Sequence, residues 1–241
     1  MIKTDKYELY NGDCLKVMDG LISLGVKFDA IITDPPYGTT ACKWDSVIPF
    51  DEMWGRLNKL IKPNGAIVLF GSEPFSSALR MSNIKNYKYD WVWNKKKGGN
   101  IMNLKYQPYK IHENIMVFNK HNYYPIMEHQ HKRVSKTYSE GEANGIKNYG
   151  DLRVYDKKYP KSILEVSNAN QKGKVHPTQK PVELLEYLIK TYTNEGDLIL
   201  DFTCGSGSTG VAALNLNRRF VGIELEEKYF DVAKNRIEEV L

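Results

Sequence analysis

The 241-residue chain carries only three cysteines, Cys14, Cys42 and Cys204, and none forms a CxxC pair or a metal-ligand spacing. So sparse and odd a set excludes a disulfide framework and fits a reduced, cytoplasmic setting. No apolar run approaches the roughly 18 residues of a membrane span. The charges of Met1-Ile2-Lys3-Thr4-Asp5-Lys6 have no apolar stretch behind them, so neither a signal peptide nor a membrane partner is expected. The Gly-Lys-Ser/Thr of a phosphate loop is missing, which disfavours nucleoside triphosphate hydrolysis. His121, His129 and His131 have no cysteine nearby and make no tetrahedral set, so no metal is expected.

What is present is an ordinary globular composition, 41% hydrophobic and 26% charged. The net charge of +5 is unevenly spread: −1 over residues 1–84, +10 over 85–174 and −4 over 175–241. Such a basic middle is either a solvated insertion or a surface for a polyanion.

Apolar periodicity predicts strands at Tyr7–Tyr10, Phe28–Thr33, Ala66–Phe70, Tyr89–Trp93, Asn114–Phe118, Asp197–Asp201 and Arg219–Ile223. Helices are expected at Leu15–Leu24, Phe50–Ile61, Glu73–Met81, Pro181–Tyr192, Ser208–Asn215 and Glu226–Val240, with Lys62-Pro63-Asn64-Gly65 stopping the second. Strands alternating with helices imply an α/β fold with a doubly wound, mostly parallel sheet, which binds ligands at the carboxyl ends of its strands. Residues 121–174 lose the rhythm and are expected to be an insertion between a first part, 1–120, and a last part, 175–241.

Two stretches carry chemistry. Asp201-Phe202-Thr203-Cys204-Gly205-Ser206-Gly207-Ser208 takes a strand through a glycine turn into a helix, and Glu224 ends the next strand. The glycines let backbone approach a ligand, and an acidic residue at that distance is the usual partner of a ribose hydroxyl pair. The second stretch, Thr33-Asp34-Pro35-Pro36-Tyr37-Gly38, follows a buried strand. Two prolines stiffen the loop and remove two donors. What remains is the Asp34 carboxylate, the Pro35 carbonyl and the Tyr37 ring, a set suited to a planar group bearing an NH2.

These two motifs, with His176-Pro177-Thr178-Gln179-Lys180-Pro181 between them, resemble the amino-directed DNA methyltransferases that use S-adenosylmethionine. The order, catalytic motif first and cofactor motif last, resembles the beta subgroup, a circular permutation of the methyltransferase fold with target recognition between the halves. The resemblance implies that Asp34 and Pro35 accept hydrogen bonds from the amine, with Pro36 stiffening the loop and Tyr37 stacking on the extruded base. It implies that Asp201, Gly205, Ser206 and Gly207 shape the methionine pocket, that Glu224 holds the ribose hydroxyls, and that Asp13 receives the adenine amine. Thr178 and Lys180 resemble residues near the cofactor's carboxylate end. The family often has Pro-Phe where this chain has Phe202-Thr203.

Residues 121–174 fall where the recognition segment belongs, and Lys95, Lys96, Lys97, Lys132, Arg133, Lys157 and Lys158 are the candidate DNA contacts. Flipping a base costs a few kcal/mol, which phosphate contacts offset. No cysteine stands in a Pro-Cys setting, which argues against methylation of a ring carbon. The expected activity is therefore methylation of adenine N6 in DNA, with cytosine N4 the alternative. Protein glutamine, an RNA base and a catalytically inactive DNA-binding module are more distant ones. A restriction–modification setting and a homodimer are compatible with so compact a chain.

Overall fold

The computed structural model describes residues 1–39, 45–136, 152–168 and 179–241. After β1 (Ile2–Lys3), β2 (Tyr7–Asn11) leads into α1 (Cys14–Ser23), and β3 (Phe28–Thr33) ends at the proline loop. Then come α2 (Phe50–Leu60), β4 (Ile61–Gly71), α3 (Phe75–Ser82), β5 (Tyr87–Asn94) and β6 (His112–Phe118). β7 (Glu128–Lys136) and β8 (Leu152–Lys158) pair as an antiparallel ribbon. β9 (Ile163–Glu165), α4 (Val182–Tyr192), β10 (Leu198–Asp201), α5 (Ser208–Asn215), β11 (Arg219–Glu224) and α6 (Glu227–Glu238) complete the chain.

Nine strands form one sheet in the order β1-β2-β11-β10-β3-β4-β6-β5-β9. The run from β2 to β4 is parallel, and β6 lies antiparallel to both β4 and β5. Parallel strands are covered on both faces, so they read as continuous apolar runs. Alternation sorts those runs between two cores. Ala66, Val68 and Phe70 of β4 face α4, α5 and α6, whereas Ile67 and Leu69 face α1, α2 and α3. Each helix supplies a matching stripe, such as Leu184, Leu185, Leu188, Ile189 and Tyr192 of α4.

Strand direction places the site. The carboxyl ends of β2, β11, β10, β3 and β4 meet at one edge of the sheet. There they are joined by the amino end of the reversed β6 and the carboxyl end of β5. Asp13, Glu224, Asp201, Asp34, Glu113 and Lys95 all stand at that edge because of this arrangement.

Beyond shifts of a residue or two at element ends, five strands differ from the sequence expectation, β7 and β8 among them because no strand is expected within 121–174. β4 begins at Ile61, with Lys62–Gly65 forming a bulge where the register jumps from Phe28 opposite Ile61 to Ala30 opposite Ala66. β1 was not anticipated, and neither was β9, which extends the sheet beyond β5 and buries Leu164. Trp91 and Trp93 are both core residues, their indole N–H groups donating to the Tyr192 hydroxyl and the Val166 carbonyl.

The chain divides into two compact units, Met1–Tyr124 with Ser162–Leu241, and Pro125–Lys161. Residues 121–124 and 162–168 thus belong to the first unit. In the second, Lys132, Arg133 and Lys157 are exposed, and Lys158 pairs with Glu128 at 3.0 Å. No described helix is long and apolar enough to cross a membrane. Among the described residues, no three His, Cys, Asp or Glu side chains gather in a way that could hold a metal ion.

Candidate active site

A cavity of about 370 Å³ opens at the carboxyl edge of the sheet, lined by Asp13, the Asp34–Tyr37 loop, Lys180, the Asp201–Ser206 loop and Glu224. The two motifs, more than 160 residues apart in sequence, are linked directly. The Thr33 hydroxyl donates to Asp201, and the Thr203 hydroxyl donates to the Asp34 carbonyl at 3.1 Å. These bonds form because β3 and β10 are neighbours in the sheet.

The proline loop is braced from outside. Asp45 accepts the backbone N–H groups of Tyr37 at 2.8 Å and of Gly38 and Thr39 at 2.9 Å. The Tyr37 ring stacks on Phe75, centroids 4.9 Å apart, and its hydroxyl donates to Asp34 Oδ1. Burial pushes the Tyr37 phenol well up, and the Asp34 charge adds to the effect.

Lys180 is buried and donates to Asp34 Oδ2. Its ammonium also lies 3.4 Å from Glu113 Oε2, and Lys95 holds the other Glu113 oxygen at 2.9 Å. Burial raises the Asp34 carboxyl, Glu113 adds to the rise, and Lys180 and Tyr37 oppose it without cancelling it. For Glu113 burial also works upward, but Lys180 and Lys95 outweigh it and hold that carboxyl below its ordinary value. Burial likewise disfavours the Lys180 ammonium, yet the two carboxylates hold its pKa above the usual range.

The glycine loop is shaped by two carboxylates. Glu224 accepts the Gly205 N–H at 2.8 Å and the Glu226 N–H at 2.9 Å. Asp201 accepts the Thr209 hydroxyl at 2.6 Å and the Thr203 N–H at 3.2 Å. Gly205 and Gly207 have φ of +53° and +76°. A Cβ on Gly207 would lie 2.9 Å from Ala233, so this glycine lets α5 pack against α6. Arg236 fastens the loop by donating to the Ser206 carbonyl and to the Ser206 and Ser208 hydroxyls. Asp13 caps α1 by accepting the Lys16 N–H at 3.0 Å.

The anticipated residues Asp13, Asp34, Pro35, Pro36, Tyr37, Lys180, Asp201, Gly205, Ser206 and Glu224 thus line one cavity, with Gly207 just behind it. Thr178 lies outside the described residues. Lys95 differs from expectation: its side chain is only 14% exposed and is engaged by Glu113, so it is not a surface phosphate contact. Lys96 and Lys97 are exposed, with Lys96 3.5 Å from Glu165. Phe202 is fully buried within the cavity wall. Asp45 and the charge pairing of Glu113 carried no sequence signal.

Fold and site together define a methyltransferase of the S-adenosylmethionine-dependent class. A family model described as DNA methylase, of the N6/N4 type, matches residues 28–235. The chain belongs to that DNA methylase family. It is 31% identical to the Type II methyltransferase M2.DpnII of Streptococcus pneumoniae, covering 87% of this chain and 82% of that one. It is 29% identical to the Type II methyltransferase M.HpaI of Haemophilus parainfluenzae, covering 87% and 68%. Among solved structures, the M1.HpyAVI–SAM complex superposes with a TM-score of 0.66 at 29% identity, covering 96% of this chain and 98% of that one. The cytosine-N4-specific PvuII methyltransferase has a TM-score of 0.69 at 17% identity, covering 99% and 91%, a likeness of fold.

Proposed function

We propose that this DNA methylase transfers a methyl group from S-adenosylmethionine to the N6 amine of adenine, and that the residues gathered around the cavity carry out the reaction. The observation that supports this most is the shared cavity. It sets an acceptor-only loop, Asp34 and Pro35, beside the Asp201–Gly207 loop and Glu224.

The residues fit the cofactor. Each Glu224 oxygen accepts one backbone N–H and keeps a further lone pair for a ribose hydroxyl. Gly205 leaves the turn without a side chain beside Asp201 and Ser206, which would border the methionine part, and Asp13 would receive the adenine amine. When bound, S-adenosylmethionine supplies a methyl group already activated by its sulfonium. The chain's task is positioning and electrostatic stabilisation. An adenine amine is a poor nucleophile, its lone pair being delocalised into the ring. Acceptors at Asp34 and Pro35 would pull the nitrogen toward tetrahedral geometry and stabilise its developing positive charge. Tyr37, braced by Phe75, would stack on the flipped base.

The test is transfer of labelled methyl from S-adenosylmethionine to mixed-sequence duplex DNA, followed by digestion to nucleosides. N6-methyladenine is the expected product. N4-methylcytosine would establish the alternative, and absence of label in DNA would overturn the proposal.

The unit Pro125–Lys161 is proposed to recognise the target, with Lys132, Arg133 and Lys157 on phosphates. These three have no carboxylate partner among the described residues, unlike Lys158, so they should contribute more. Changing all three to Gln should weaken DNA binding and lower the salt slope of log K by about one per lost contact. Cofactor affinity, read by calorimetry, should stay unchanged.

A further inference from the structure

The side chains around Asp34 form a chain of alternating charge: Lys95, Glu113, Lys180, Asp34, with the Tyr37 hydroxyl at its end. In the arrangement seen here both Asp34 oxygens already accept from protein, Oδ1 from Tyr37 and Oδ2 from Lys180. Glu113 is the reverse. Its Oε1 is held by Lys95, but its Oε2 is buried with no hydrogen bond, 3.4 Å from the Lys180 ammonium. That oxygen is already in ion-pair reach of Lys180, and a small movement of the ammonium would complete a hydrogen bond to it. Lys180 also lies over the rings of Phe70 and Trp93, at 5.1 and 5.9 Å from their centroids, so it has a cationic seat beside both carboxylates.

The reaction makes this geometry consequential. Resting on the reading of Asp34 as the amine acceptor, the attacking nitrogen gains positive charge next to Asp34. An ammonium on the same carboxylate opposes that charge and weakens the acceptor. We propose that Lys180 is a movable counterion and a positioning residue, passing from Asp34 Oδ2 to Glu113 Oε2 as the target amine engages Asp34. Lys95 fixes Glu113 as the receiving partner. Lys180 donates a hydrogen bond in both positions, so no proton or covalent bond changes hands in the exchange.

The experiment measures single-turnover methyl transfer into duplex DNA as a function of pH, using the full chain. Asp34 is faced by Lys180, Glu113 and Tyr37, and Asp201 lies near it across the cavity. Glu113→Gln keeps the shape but removes the receiving charge. The plateau rate should fall about tenfold or more, while cofactor and DNA affinities are retained. Its acid limb should move to lower pH, because the Glu113 charge no longer raises Asp34. A fixed ion pair predicts no fall on the plateau, so an unchanged rate, or a fall without the shift, overturns the proposal. Lys180→Arg supplies a second reading. A guanidinium fork can span both carboxylates at once and would satisfy a static counterion role, but it cannot release Asp34. It should lose about as much rate as Glu113→Gln, and activity within about twofold of wild type would equally overturn the proposal. Failure of the wild-type chain to methylate DNA would instead remove the underlying function.

Discussion

Asp34→Ala is expected to lower the single-turnover rate of methyl transfer by about 10²- to 10³-fold while leaving cofactor affinity unchanged. The carboxylate is one of two acceptors at the end of β3, and the Pro35 carbonyl cannot replace it. Asp34→Asn keeps one acceptor oxygen but puts an NH2 where the second acceptor stood, so its loss should be smaller than that of alanine. Pre-formed complexes assayed by rapid quench would separate the chemical step from DNA release.

The same substitution should not unfold the protein. Burial raises the Asp34 carboxyl, while the same contact holds the Lys180 ammonium charged, so the two effects of the pair oppose one another. The Lys180 ammonium, deprived of Asp34, still has Glu113 3.4 Å away. Thermal melting should show Asp34→Ala still folding cooperatively, at a lower Tm than wild type because the Lys180 ammonium and the Tyr37 hydroxyl each lose a buried partner. A variant that is inactive because it is misfolded would fail this comparison, and it would also lose cofactor binding.

Much of this arrangement was legible in the sequence because it is local. A buried run ending in Asp34-Pro35-Pro36-Tyr37 states its own stiffness and its lack of donors. A strand entering Gly205-Ser206-Gly207 states its own turn. Alternation and helical spacing then place both stretches at the same edge of a parallel sheet. The partners of those residues were not legible, because they are set by packing. Lys180 meets Asp34 across 146 positions of sequence. Only the reversal of β6 brings Glu113 to the edge where the parallel strands end. The same reversal turned Lys95 from an apparent surface lysine into half of an ion pair. β9 has three residues, too short for any period to register. Asp45 reaches the proline loop through backbone amides, which a side-chain pattern cannot reveal.

Asp201→Ala should cost about 2–3 kcal/mol of stability at pH 7.5, and the loss should grow on acidification. The carboxylate is 4% exposed and takes the Thr33 and Thr209 hydroxyls and the Thr203 N–H. Thr33 Oγ1 in turn accepts the Phe202 N–H at 3.1 Å, so alanine would loosen the join between both motifs. Burial pushes the Asp201 carboxyl up to about 6 from 3.8, against the opposing hydrogen bonds of Thr209 and Thr33. A pKa raised on folding means that its stabilising contribution is complete below pH 4 and declines as pH rises through about 6. The penalty from alanine should thus be greater at pH 4.5 than at pH 7.5, by up to about 2–3 kcal/mol. Urea midpoints for both proteins at the two pH values measure it. A larger penalty at pH 7.5 would mean that hydrogen bonding to the carboxylate outweighs its burial. The charge that weakens the fold at neutral pH stands beside the cavity proposed for a cationic cofactor. Added S-adenosylmethionine should therefore stabilise the wild type more at pH 7.5 than at pH 4.5, and that difference should shrink in Asp201→Ala, Asp34 and Glu224 of the same cavity keeping the remainder.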